Sequence, residues 1–241
     1  EGLLFSCEAG QLPRMGWCPG ASARCGSHLV ALVYFIEPRP ALVIRMNHHS
    51  PFLQSGSLID GVDLRRLDMH RDSRGHFTEV FRHSWRTAVS PTQWSVVESV
   101  AGTLRGMHLH RRHDEYFLVL KGHSSVGLKD VRPGSPTEGD WALYDLHGDD
   151  LACLSFPRGI LHGWYFHEPS LHLQAVSEDY GAYGADDNLG CHWSDPELGI
   201  PWPAEPSVVA ERANGFPALA ELLARTRALS VEGEPWFEMN K

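Results

Sequence analysis

Short apolar runs recur from Gly56 onward, each bounded by Gly, Pro, Asp or Ser. Many short strands separated by turns are typical of a sandwich or a barrel. The segments that we expect to be strands are 58–64, 76–81, 93–100, 115–120, 124–131, 141–146, 151–156, 163–166 and 171–176. Beyond Pro217, leucines 219, 222, 223 and 229 recur at near-helical spacing, which predicts a C-terminal packing helix. The sequence therefore predicts an all-β fold that ends in a helix.

Residues 1–57 have a different composition from the rest of the chain. They mix Gly, Pro, Cys and Ser with short apolar runs that keep no sustained period. We interpret them as an N-terminal extension that is disordered or not native, with Met46 as an alternative start. The domain that carries function is then predicted to span residues 58–241.

Charge and cysteine content exclude several classes of protein. The formal net charge of −9 argues against a nucleic-acid binder, although a few local arginines can still hold an anionic small ligand. The apolar run at 29–36 is far shorter than the roughly 20 residues that a membrane-spanning helix needs. The odd number of cysteines forms no C-x-x-C pair, so we expect a reducing, cytoplasmic location.

One motif concentrates residues that can bind metal. Gly102 and Gly122 bracket His108, His110 and Glu115 at the spacing G-x5-H-x-H-x4-E-x6-G, and His162 follows in a second segment, Pro-Arg-Gly-Ile-Leu-His. Two histidines one residue apart on a strand point to the same face. Three imidazoles and one carboxylate around an open position suit a divalent transition metal such as Fe, Mn, Ni or Zn. The pattern predicts a metal-containing active site inside the barrel.

Several segments occur together, in order, between about Leu58 and Leu219. They are Asp72-Ser-Arg-Gly-His-Phe-Thr-Glu79, Gln93, Gly102-Thr-Leu-Arg-Gly-Met-His108, Asp130-Val-Arg-Pro-Gly-Ser-Pro-Thr-Glu-Gly-Asp-Trp141, Pro157-Arg-Gly-Ile-Leu-His-Gly163 and Trp193-Ser-Asp-Pro-Glu-Leu-Gly-Ile-Pro-Trp-Pro203. In these segments the chain resembles the dTDP-4-dehydrorhamnose 3,5-epimerase family of cupins. The resemblance implies a jelly-roll β-barrel, a homodimer, and a nucleotide-linked 4-keto-6-deoxy sugar as substrate in dTDP-rhamnose biosynthesis. Proton abstraction beside the keto group and return to the opposite face would be the reaction.

The resemblance also assigns roles to single residues. His108 would be the base, Asp195 its orienting partner, and Tyr180 an active-site tyrosine. The substrate-binding positions would be Arg74, Glu79, Gln93 and Arg105, of which Arg105 lies near the sugar and its phosphates. An arginine on a barrel strand needs an anionic partner, which favours a ligand contact for Arg105.

Three positions depart from the family pattern. His110 stands where the family usually has Gln, Glu115 where it has Lys, and Gln174 near the expected tyrosine acid. The first two changes introduce metal-ligand types at the cupin spacing, and together the departures argue against ordinary metal-free 3,5-epimerisation. The alternative for His110 and Glu115 is a hydrogen-bonded pair without a metal.

Two roles for His108 and three functions stay open at this point. A metal-bound His108 has no lone pair for base work, and Asp195 then only holds its ring; without a metal the two form an acid–base dyad.

The leading function is an isomerase or epimerase acting through an enol intermediate, in which a metal would polarise the ketone. The alternatives are a metal-dependent cupin oxygenase or lyase on a non-sugar molecule, and a non-catalytic sugar-nucleotide-binding cupin. We expect His113, in an Arg-Arg-His-Asp turn, to be solvated.

Overall fold

A computed structural model describes residues 52–85, 87–184 and 187–231. The strands are β1 Leu53–Gly56, β2 Asp63–Arg66, β3 Met69–Asp72, β4 Gly75–Thr78, β5 Gln93–Ser99, β6 Thr103–Leu109, β7 Glu115–Lys121, β8 His123–Asp130, β9 Trp141–His147, β10 Ala152–Phe156, β11 Ile160–Phe166, β12 Ser170–Val176, β13 Leu189–Gly190 and β14 Val208–Val209. The helices are α1 Tyr180–Tyr183, α2 Glu211–Asn214 and α3 Leu219–Val231, with a 3-10 turn at Pro196–Leu198. The predicted all-β fold with a C-terminal helix is confirmed.

Two sheets face each other, and a small hairpin stands apart from both. The larger has the order β1-β9-β8-β11-β6-β13, with β14 parallel to β6, and the smaller has the order β2-β10-β7-β12-β5. Strands β3 and β4 pair only with each other among the described strands. Apart from β14, all the pairings are antiparallel. This arrangement closes the sandwich that the strand pattern predicts.

The main core fills the space between the sheets because apolar side chains alternate along the central strands. Val126 and Leu128 of β8 and Trp164 of β11 meet Phe117 of β7 and Leu154 of β10. A second cluster lies on the other face of the larger sheet, where α3 and the segment around the 3-10 turn cover it. The predicted C-terminal helix is therefore a packing element, as its leucine pattern indicates.

The N-terminal prediction is only partly accessible to the structure. Residues 1–51 lie outside the described residues, together with Cys7, Cys18 and Cys25, so the extension stays a prediction. Strand β1 pairs with β9, so the sheet begins ahead of the boundary predicted at residue 57. The two cysteines in the described part, Cys153 and Cys191, are buried and free. None of the described helices is long and apolar enough to cross a membrane.

Candidate active site

The site opens into a cavity of about 560 Å³ between the two sheets. Its wall comes from β5, β6, β7, β11, β12, α1 and α2 and includes Arg105, His108, His110, His113, Glu115, Trp164, His172, Gln174, Tyr183, Asn188 and Arg212. A cavity of this size, polar at its base, is typical of a small-molecule site.

Strand pairing explains how the predicted motif reaches the cavity. His108 on β6 lies opposite His162 on β11, and Glu115 begins β7 in the other sheet. The register between β6 and β11 shifts at His162, where a Cβ on Gly106 would lie 2.6 Å from the Cα of Gly163. Glycine at position 106 is thus required for the two strands to approach beside the histidines.

The structure brings three of the four predicted ligands together. The Nε2 atom of His110 lies 3.2 Å from Oε1 of Glu115, and the Nε2 atom of His162 lies 3.8 Å from the same oxygen. One ligand atom from each of the three residues lies within 4.8 Å of the others, and all three residues are buried. His108 is not in this group, because its ring nitrogens do not lie within 4.8 Å of all three of these ligand atoms.

The hydrogen bonds of the two histidine rings leave lone pairs facing the carboxylate. His162 donates from Nδ1 to the carbonyl of Ile160 at 3.0 Å, and His110 donates from Nδ1 to the carbonyl of Asp187 at 2.8 Å. When Nδ1 carries the proton of a neutral imidazole, Nε2 keeps a lone pair. Neither Nε2 of His162 nor Oε1 of Glu115 makes a hydrogen bond. Three acceptors that face one another in a buried space fit a cation, and backbone anchoring of the other ring nitrogen is usual for metal-bound histidine.

Burial and neighbouring charges set the protonation of the cluster. Burial alone would raise the pKa of Glu115, but His162, His110 and His113 hold that pKa well below 4.5. Burial lowers the pKa of His162 to about 4, so its ring is neutral at pH 7. The carboxylate is therefore charged and at least one potential ligand ring is neutral, as metal binding requires.

His113 is buried, so the prediction that it is solvated is wrong. Its ring is 1% exposed, with Nδ1 2.9 Å from Oδ2 of Asp187 and Nε2 3.5 Å from Oε1 of Glu115. Burial would lower the pKa of His113, but the two carboxylates raise it to about 9. The loop folds this way because Asp187 also accepts the backbone N–H groups of Arg111 and Arg112. The spacing of three between His110 and His113 was the only sequence signal for this contact.

His108 has the properties of a neutral base. Burial lowers its pKa well below 6.5, and the nearby His162 and His110 lower it further. The ring lines the cavity beside Trp164 and Phe216, with centroids 6.2 and 6.0 Å away. Because His108 lies outside the three-residue cluster, its nitrogen lone pair can serve as a proton acceptor.

Among the described residues, the side-chain hydrogen bonds of Asp195 go to backbone groups and not to His108. Its Oδ1 atom accepts the N–H of Glu197 at 2.9 Å, and its Oδ2 atom accepts the N–H of Leu219 at 2.9 Å. The carboxylate caps the 3-10 turn and the start of α3, which explains an aspartate before proline here. These contacts make Asp195 a structural cap, and its predicted role beside His108 stays a prediction.

The predicted substrate-binding residues divide into two groups. Arg105 lines the cavity, where it donates to Ser99 Oγ at 2.9 Å and to the carbonyl of Glu98 at 3.1 Å. Arg74 pairs with Asp72 in the β3–β4 hairpin, and Glu79 pairs with Arg82. Gln93 accepts the N–H of Tyr180 at 2.9 Å. Of the four predicted substrate-binding residues, only Arg105 is part of the described cavity wall within a single copy of the chain.

Tyr183 and Arg212 line the cavity and were not expected from the sequence. Tyr180 is 54% exposed, whereas Tyr183, three residues later, stacks on His113 with ring centroids 4.1 Å apart. The guanidinium group of Arg212, on α2, packs over the ring of Phe216, 5.5 Å from its centroid. Its positive charge lowers the pKa of His108. Among the described residues neither Arg105 nor Arg212 has a carboxylate partner. The cavity thus presents two arginines to an anionic ligand.

Comparison with known proteins decides the family. The family model described as dTDP-4-dehydrorhamnose 3,5-epimerase matches residues 57–221. The chain belongs to this family. A dTDP-4-dehydrorhamnose 3,5-epimerase of Sinorhizobium fredii is 32% identical over 184 residues, which are 71% of this chain and 91% of that protein. The spore coat polysaccharide biosynthesis protein SpsL of Bacillus subtilis is 29% identical over 150 residues, 61% of this chain and 99% of that protein.

Solved structures of similar proteins contain nucleotide sugars. A 3,5-epimerase from Legionella pneumophila in complex with dTDP-4-keto-L-rhamnose has a TM-score of 0.63 and 26% identity, and the match covers 69% of this chain and 94% of that one. A 3'-monoepimerase from Streptomyces bikiniensis in complex with dTDP-quinovose has a TM-score of 0.63 and 25% identity, with 73% and 90% covered. The predicted cupin jelly roll and epimerase class are confirmed, and the comparisons support neither the oxygenase or lyase nor the binding-only alternative.

Proposed function

We propose that this protein epimerises a nucleotide-linked 4-keto-6-deoxy sugar, as the names of its relatives indicate for those proteins. The observation that carries the proposal is the placement of neutral His108 in the same cavity as Arg105 and Arg212, which have no carboxylate partner among the described residues. The arginines would bind the diphosphate, Arg105 from β6 and Arg212 from α2. The sugar then lies over the base of the cavity, beside His108.

In the proposed reaction His108 removes the proton from a carbon adjacent to the ketone. The bonding electrons move into the carbonyl, which becomes an enolate. A hydroxyl donor on the opposite face returns a proton to the carbon, and solvent exchange restores His108 and the donor to their starting states. We assign the donor to Tyr183 in place of Tyr180, because Tyr183 lines the cavity. His113, with its pKa raised to about 9, supplies positive charge near the enolate oxygen.

A divalent transition metal is part of the proposal. His110, Glu115 and His162 would hold it, since their facing acceptor atoms fit a cation. When bound, such an ion polarises a ketone oxygen and stabilises an enolate. Elemental analysis of untagged protein purified without chelators tests this part: Glu115→Gln should contain about one metal per chain fewer than wild type. Metal-free wild-type protein with full activity would contradict the metal.

Deuterium exchange tests the epimerase itself. The protein is incubated in heavy water with a dTDP-linked 4-keto-6-deoxy sugar, and deuterium at the sugar carbons is followed by NMR. We expect exchange with wild type and with His76→Ala, an exposed-histidine control, and a loss on the order of 10²–10⁴-fold with His108→Asn. Binding without exchange would favour the non-catalytic alternative, and substrate-dependent oxygen uptake would favour the oxygenase.

We also propose that the protein is a homodimer located in the cytoplasm. Strand β5 is the edge of the smaller sheet and exposes Trp94 and Val96, with Val96 63% exposed. Exposed apolar edge strands favour pairing with a second chain. The predicted nucleotide contacts of Arg74 and Glu79, which lie outside their own cavity, would then be made across the dimer. Light scattering after size exclusion should give a dimer for wild type and a monomer for Val96→Lys; a wild-type monomer would contradict this.

A further inference from the structure

Three histidines form a column on the outer face of the larger sheet, away from the candidate active site. His123 on β8 pairs with His147 on β9, and His167, just after β11, donates its backbone N–H to the carbonyl of His123 at 3.0 Å. Residues at even positions of β8, such as Val126, point into the core, so odd positions such as His123 and Ser125 point outward. The column is thus a product of sheet register and not of sequence proximity.

The rings lie face to face and share one carboxylate. The centroid of His123 is 3.9 Å from that of His147 and 3.8 Å from that of His167, with interplanar angles of 17° and 8°. Asp145 lies 2.7 Å from Nε2 of His123 and 3.1 Å from Nε2 of His147. The ligand atoms of His123, Asp145 and His147 lie within 4.8 Å of one another.

We propose that His123, Asp145 and His147 form a second metal site, for a borderline divalent ion such as Zn²⁺. Two imidazole nitrogens and one carboxylate oxygen are ligands that such ions prefer, whereas Mg²⁺ and Ca²⁺ prefer oxygen alone. The side chains are 24%, 32% and 41% exposed, respectively, so water can complete the coordination. The three ligands come from the paired strands β8 and β9. Because a nitrogen lone pair lies in the plane of its ring, the two stacked rings do not yet point to one ion, and His147, the most exposed of the three, rotates about its side-chain bonds on binding.

A third histidine, His167, packs against the proposed site from the other face of the His123 ring. His167 is held in the stack by Ser125, whose Oγ lies 2.8 Å from its Nε2 atom, so it supports His123 as a neighbour of the site. The proposal is independent of the epimerase, since these residues lie outside the cavity wall.

Calorimetric titration of untagged, chelator-treated protein with Zn²⁺ tests the second site. His110→Ala serves as the background in which the inner cluster is disabled, and we expect it to keep one tight equivalent of Zn²⁺. Adding His147→Ala or Asp145→Asn should raise the Kd of that equivalent at least tenfold, whereas adding His76→Ala, which removes an exposed histidine on β4, should not change it. Exchange of deuterium into the sugar should persist in His147→Ala alone. An unchanged Kd in the His147 and Asp145 variants would overturn the site.

Protection from chemical modification gives a second measurement that needs no variant. Diethyl pyrocarbonate modifies exposed neutral imidazoles, and the modified histidines are mapped by mass spectrometry. We expect Zn²⁺ to protect His123 and His147 in wild-type protein while His70 and His76, exposed on the β3–β4 hairpin, stay reactive. Equal modification of His123 and His147 with and without Zn²⁺ would overturn the proposal even if a variant failed to fold.

Discussion

Two buried carboxylates in this protein have opposite surroundings. Asp130 is 0% exposed and accepts five hydrogen bonds, three from Arg132 and one each from the hydroxyls of Ser135 and Thr137. Glu115 is 2% exposed, and Gln174 donates to Oε2 at 2.8 Å while Oε1 has no hydrogen bond and faces imidazole nitrogens. Burying a charge without complete partners is costly, so it persists where a ligand or a reaction uses it. The contrast separates a structural carboxylate from a functional one.

The same substitution at both carboxylates gives the largest expected difference. Asp130→Asn replaces one of the accepting oxygens by an NH₂ group, which faces the donor groups that surround Asp130. We expect this change to lower the free energy of unfolding by about 3 kcal/mol. Glu115→Gln should lower it by less, about 1 kcal/mol, because the loss of charge also removes an incompletely compensated desolvation cost. Urea unfolding measures both. Asp149→Ala, an exposed control, should stay within about 0.5 kcal/mol. Equal destabilisation by the two amide substitutions would contradict the comparison.

The two substitutions should affect catalytic activity in the opposite order from stability. We expect Glu115→Gln to lower kcat on the order of 100-fold, about 2.7 kcal/mol, because the enolate oxygen loses the charges that the cluster positions. Asp130→Asn should keep kcat per folded molecule within a factor of two, since Asp130, the last residue of β8, lies outside the cavity wall. Steady-state rates, corrected for the folded fraction by circular dichroism, measure this. A Glu115→Gln protein with wild-type kcat would remove the functional half of the contrast.

The two neighbouring tyrosines offer a smaller and sharper test. Tyr183→Phe removes the proposed proton donor from the cavity, and we expect kcat/KM to fall about tenfold, or about 1.4 kcal/mol. Tyr180→Phe changes an exposed ring and should leave kcat/KM within a factor of two. Loss of activity in the Tyr180 variant alone would restore the original sequence-based assignment.

Acid should erase the stabilising effect of Asp130. Burial alone would raise the pKa of Asp130, but Arg132, Ser135 and Thr137 hold it below its usual value. A carboxyl with a lowered folded-state pKa stabilises above the unfolded pKa of about 3.9, and that stability is lost as pH falls through the folded value. The difference in urea midpoint between wild type and Asp130→Asn should therefore shrink as pH falls below about 4. A constant difference down to pH 2 would contradict this.

Much of the fold follows from local patterns. Alternation and turn residues predicted the strands from β7 to β12 to within a few residues, and the leucine spacing predicted α3. The motif that contains His110 and Glu115 was visible because it combines metal-ligand residue types at the cupin spacing. The roles of Asp195 and His113 were not visible, because a backbone N–H distant in sequence captures Asp195 and a distant carboxylate captures His113.

The sequence by itself determined a jelly roll, its membership of a sugar-nucleotide epimerase family, and the three residues of the inner cluster. Only the tertiary structure decided that His108 stands apart from that cluster, that Tyr183 and not Tyr180 lines the cavity, and that three histidines form a column on the outer face. The physical reason is that some interactions act between residues close in sequence and others between residues far apart in sequence. Side-chain direction along a strand repeats every two residues, whereas the strands and loops that meet are chosen by the packing of the sheets and by hydrogen bonds between distant segments.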